Sequence, residues 1–198
     1  MALGSTNSHY AGGVADNSPA ARALPYSVVP ALRAAIVVIT GLVITFTPGH
    51  TAQFGLVALG ILGIVSAVGF ALVALGLPAT HAGRGLHIWQ ALVSLVVGAL
   101  VLALQDAGMI LLLWALVFWA LLVGVAEVFV GGRLSRGHAL RRDWMTQGGM
   151  TIVLAVVVLF QPADSVAVVG LLGAWAIVQG VYMAIASIAL RFPTSVKD

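Results

Sequence analysis

RAAIVVITGLVITFTP at Arg33–Pro48 has two counterparts, each shifted by 57 residues: QALVSLVVGALVLALQ at Gln90–Gln105 and QGGMTIVLAVVVLFQP at Gln147–Pro162. In all three, a polar residue opens an apolar run that ends at a turn landmark, Pro48, Gln105 or Pro162. A loop without Lys or Arg follows, and then a longer apolar stretch. Self-similarity at a fixed period defines architecture before any single residue does. The chain therefore divides into three tandem helical hairpins, at about 27–77, 86–130 and 144–190.

Composition places these hairpins in lipid. Of the 198 residues, 61% are apolar and 8% charged, and the mean hydropathy is +1.11. A soluble chain of this size would need a polar exterior that such a composition does not supply. Crossing the roughly 30 Å hydrocarbon layer takes about 20 apolar residues at 1.5 Å each. Six stretches qualify: Ser27–Thr47, Thr51–Leu77, Leu86–Leu104, Ala107–Val130, Trp144–Phe160 and Asp164–Leu190. The return helix of each hairpin is the longer one and is expected to tilt or protrude. The predicted fold class is thus an all-α membrane protein of six transmembrane helices with pseudo-threefold symmetry about the membrane normal. Residues 1–26 read as a disordered cytosolic tail with no signal peptide, and 191–198 as a second tail.

All nine Lys and Arg fall on one side of this layout: Arg22, Arg33, Arg84, Arg133, Arg136, Arg141, Arg142, Arg191 and Lys197. The positive-inside rule puts that side, with both termini, in the cytoplasm, which agrees with an even number of spans. The pI near 10 is then a topology signal. Nucleic acid is excluded as a partner, because the basic residues flank spans with no soluble domain behind them. The Arg133–Arg142 loop also suits contact with anionic headgroups. There is no cysteine, so disulfides and thiol chemistry are ruled out.

Small residues recur four apart on the return helices: Gly63, Ala67 and Ala71; Ala120 and Gly124; Ala176, Gly180 and Ala184. The first helices add Gly41, Gly98 and Ala155, each 57 apart. In lipid, helices associate through close backbone approach and van der Waals contact. The stripes are read as packing within one chain, with a homo-oligomer or membrane-protein partner as the alternative use.

Glu127 is the one acidic residue inside a span. It continues the Ala120–Gly124 face, while the corresponding positions are Phe70 and Met183. An intramembrane carboxylate is a candidate functional site because it is costly to place there. The competing account is structural pairing with Arg33, Arg133 or Arg191. Arg33, Gln90 and Gln147 share one repeat position. They are expected either to line a polar ring or, as the plainer account, to bond helix ends and headgroups at the interface. Trp89 and Trp144 suit the aromatic belt on the basic side. Trp114, Trp119 and Trp175 lie mid-span and are expected to fill volume or face lipid. Among the outer-loop groups, His50, Asp106 and Asp164 occupy three equivalent loops, where solvated loop residues are the plain reading and convergence the sharper one. No His pair has metal-ligand spacing, so no metal and no cofactor is assigned. No catalytic motif is present and no enzyme activity is expected.

The spacing Arg33-x7-Gly41-x6-Pro48, its partial echoes at Gln90/Gly98/Gln105 and Gln147/Ala155/Pro162, and GVAEVF at Gly124–Phe129 resemble the HdeD-like family. That family comprises bacterial inner-membrane proteins built from short repeats, of unknown function, and includes a protein tied to acid resistance. The resemblance implies a six-span protein of the bacterial cytoplasmic membrane, non-enzymatic, supporting acid or envelope stress resistance. A small transporter or channel for protons or a small solute is the alternative.

Overall fold

The computed structural model describes residues 28–135 and 139–189. The two expected tails, Arg136 and Arg191 lie outside the described residues. Six helices account for the fold: α1 (Val28–Phe46), α2 (Ala52–Gly76), α3 (Ala82–Ala103), α4 (Met109–Arg133), α5 (Ala139–Phe160) and α6 (Ser165–Ala189). The protein is an all-helical, multi-pass membrane protein, and no strand occurs among the described residues. Five helices are long and apolar enough to cross a bilayer. The sixth, α1, contributes a shorter apolar run at Arg33–Phe46, which lies antiparallel along α6 from Ala34, beside Gly180, to Ile44, beside Gly173.

The outside of the bundle is as apolar as its core. Phe46, Leu75, Ile110, Val153, Phe160 and Ile185 are each more than half exposed. Such a continuous apolar coat is tolerable only against lipid. Within lipid every backbone polar group must be satisfied inside its own helix, so the turns carry the capping work. Thr51 accepts from the Phe54 amide and opens α2. His81 Nδ1 accepts from the Gly83 amide and opens α3. Asp164 accepts from the Val166 and Ala167 amides and opens α6. Gly49 and Gly108 take positive φ in the first two turns, a conformation that only glycine adopts without strain.

Two boundary expectations need correction. Helix α3 starts at Ala82 and α5 at Ala139, before the expected Leu86 and Trp144. Arg84, Arg141 and Arg142 are therefore helical and not loop residues. Hydropathy marks where lipid begins, whereas a helix begins where its first amides find acceptors. The longer return helices do appear: α2, α4 and α6 have 25 residues each, against 19, 22 and 22.

The closest packing is not within the hairpins. The most extensive contacts join α2 to α3, α4 to α5, and α6 back to α1. Each return helix thus packs on the first helix of the next hairpin, and the pattern closes into a ring. Glycines set these crossings. Gly63 meets Gly98, Gly124 meets Gly148, Gly180 meets Ala34, and Gly41 meets Gly173, all with backbone against backbone. Of the predicted packing stripe, Gly63, Ala67, Ala120, Gly124, Ala176 and Gly180 are buried, and Ala71 and Ala184 are half-buried. At the end bearing the outer turns, Leu56, Leu59, Val101, Leu112, Leu116, Val158, Val168 and Leu172 are fully buried and form one apolar core.

Candidate functional site

Buried polar side chains among the described residues are Ser66, Gln90, Ser94, Glu127, Thr151, Gln179 and Ser187. All lie on the basic side of the level marked by Gly41, Gly98 and Ala155. The bundle therefore has a sealed apolar half and a polar half, and the candidate site belongs to the second.

At its centre Glu127 is 3% exposed, and its Oε1 accepts a 2.5 Å hydrogen bond from Gln90 Nε2. Gln90 is 0% exposed and its Oε1 lies 3.0 Å from His87 Nδ1. His87 stacks on Phe70 at 5.9 Å between centroids and meets the edge of Trp144 at 6.2 Å. On Phe70 also rests the Arg33 guanidinium, 3.8 Å from the ring centroid, a cation–π contact that gains strength away from water. Residues from α1, α2, α3, α4 and α5 thus meet in one cluster. Alongside it, Gln179 Nε2 donates to Gln147 Oε1 at 3.4 Å.

Local sequence explains the convergence. Arg33, Gln90 and Gln147 sit at one register in three first helices, and each reaches the return helix of its own hairpin. Arg33 meets Phe70 and Gln90 meets Glu127, both 37 residues on; Gln147 meets Gln179, 32 residues on. Among the described residues the three groups make no hydrogen bond to one another, and each has a separate partner. Interfacial placement is overturned for Gln90, which is fully enclosed.

The pairing expected for Glu127 also takes another form. Among the described residues, which exclude Arg191, Glu127 Oε2 has no hydrogen-bond partner, and neither does Arg33 Nε. Arg133 instead lies over Phe129, 4.0 Å from its centroid. The hydrogen-bonded neighbour of Glu127 is thus an amide, while Arg33 acts on it as a nearby charge.

Other candidates disperse. His50 bonds to the Ile44 carbonyl at 2.7 Å, Asp106 accepts from Gln53 at 2.7 Å, and Asp164 caps α6. The three outer-loop groups do not converge. Trp144 is 8% exposed and fills the α3–α5 junction against Gly83, so it is no belt residue. Trp89 is 45% exposed. Of the mid-span tryptophans, Trp114 faces out and Trp119 is buried, with Nε1 donating to Ser94 Oγ at 3.1 Å. No cluster of three or more metal-ligating side chains occurs among the described residues.

Sequence reasoning did not select Phe70, His87 or Trp144 as site residues. A usable signal existed: Phe70 and Glu127 stand at the same distance from Arg33 and Gln90. No family model matches the chain, no curated protein matches it, and no solved structure matches it.

Proposed function

We propose that this is a non-enzymatic protein of the bacterial inner membrane, of HdeD-like type, that supports the envelope under acid or related stress. The observation that supports this reading best is the sealed apolar half: buried polar side chains stop at one level, so the described bundle offers no polar route from end to end. A stress link rests on the family resemblance. Deleting the gene in its host should lower survival after acid challenge, and the wild-type chain should restore it. Equal survival with and without the gene would sink the stress assignment.

A second reading, a small transporter for protons or a small solute, is favoured by one observation, the unpartnered Oε2 of Glu127. In proteoliposomes under a pH gradient, wild type and Glu127→Gln are expected to show the same background flux. Wild-type flux well above that of the variant would reverse the ranking.

Orientation belongs to the same proposal, with both termini and the basic end cytoplasmic. Because the chain lacks cysteine, single cysteines are unique labels. Ala107→Cys, in an exposed turn, should react with an impermeant maleimide added outside intact spheroplasts, and Gly132→Cys only after lysis. The opposite pattern would invert the topology.

A further inference from the structure

We infer that the polar half of the bundle is a binding site for a small molecule that both donates and accepts hydrogen bonds, and that its resident occupant is water. Among the described residues four buried side-chain atoms have no partner; one is Trp175 Nε1, and the other three, Arg33 Nε, Glu127 Oε2 and Gln179 Oε1, belong to charged or amide groups of this half. These three come from α1, α4 and α6, one from each hairpin. Their neighbours set them within about one helical turn of one another along the bundle. A Cβ built at Gly148 would touch Glu127 Cβ at 2.8 Å, and the adjacent Gln147 is the acceptor for Gln179. Gly180, next to Gln179, meets the backbone of Val38 and of Ala34, the residue after Arg33.

The chemistry of these atoms selects the guest. Arg33 Nε–H can only donate, whereas Glu127 Oε2 and Gln179 Oε1 offer lone pairs. A metal cation is disfavoured by the guanidinium, and a simple anion by the carboxyl group. Together the three atoms call for one acceptor and two donors, and water supplies both roles at the smallest size. Leaving them empty would cost about 1–3 kcal/mol each, whereas buried water characteristically makes about three bonds to such groups. The site draws on geometry alone, so it stands whether or not the chain transports anything.

Radiolytic hydroxyl labelling of the purified full-length protein in detergent tests this, because ordered water delivers radicals to side chains that bulk solvent does not reach. Phe70 is 1% exposed and carries Arg33 on its face, so it is the reporter. Leu116, 0% exposed in the apolar core, is the buried control. Phe70 should be oxidised in the wild type faster, per intrinsic reactivity, than Leu116. Gln179→Met and Glu127→Gln should each lower Phe70 labelling. If Phe70 is no more labelled than Leu116 in the wild type, the hydrated site is refuted, whether or not the variants fold. A wild-type signal suppressed by adding acetamide, and not by sodium chloride, would extend the site to small amide solutes. Suppression by sodium chloride would overturn the assignment of a neutral guest.

Discussion

Gly98→Leu should prevent assembly of the bundle. A Cβ at this position would stand 2.9 Å from both the Gly60 carbonyl oxygen and the Ile64 amide nitrogen. Those are backbone atoms of α2 that cannot rotate away, so the helices must separate. Overpacking costs about 1–3 kcal/mol where side chains can adjust, and the cost here should sit at or above that ceiling. Van der Waals contact at the crossing holds helices together in lipid, and it would be lost at the same time. Gly170→Leu is the matched control, since a Cβ there meets nothing within 4 Å; it should change stability by less than about 0.5 kcal/mol. Unfolding by SDS titration, followed by tryptophan fluorescence, separates the two variants. An unshifted midpoint for Gly98→Leu would mean that the α2–α3 crossing is not as close as described.

That crossing also shows how far the sequence carries. Period and hydropathy locate six helices, because each copy must supply its own apolar run and turn. The small-residue stripe identifies Gly63 and Gly98 as packing positions, since few other reasons place glycine mid-helix. What neither signal contains is the partner. Gly98 and its own return helix α4 are neighbours in sequence, yet Gly98 packs on Gly63 of the preceding hairpin. A stripe records how closely another backbone approaches and carries no information on which backbone that is.

The site divides along the same line. Glu127 is conspicuous because a carboxyl group stands out among apolar residues, and Gln90 because it shares a register with Arg33. Their mutual hydrogen bond was not legible, since an interfacial partner for Gln90 and an arginine for Glu127 were equally consistent with the pattern. Trp144 reads as a belt residue from the sequence, and nothing in the pattern singles out His87. Both enter the cluster because they face inward, His87 stacking on Phe70 and Trp144 packing against His87 and Gly83.

Removing Gln90 should be the most damaging change in the polar half. Interhelical hydrogen bonds in lipid contribute on average only about 0.6 kcal/mol, so loss of the bond alone would be a minor effect. Gln90→Leu does more: it strips Glu127 Oε1 of its hydrogen-bond donor when Oε2 already has no protein partner. A buried carboxyl deprived of its partner should cost about 3 kcal/mol. His87 also loses the acceptor on Gln90. The double variant Gln90→Leu with Glu127→Leu removes both sides of the principal bond, and replacing both members of a buried polar pair by apolar groups can be nearly neutral. It should therefore recover most of the stability lost in Gln90→Leu, giving a coupling of about 2 kcal/mol in a double-mutant cycle. Costs that simply add would show that Gln90 and Glu127 act independently, and that the carboxyl group draws its stabilisation from Arg33 or bound water instead. The cycle thus distinguishes an amide that holds the carboxyl in place from one that merely lies beside it.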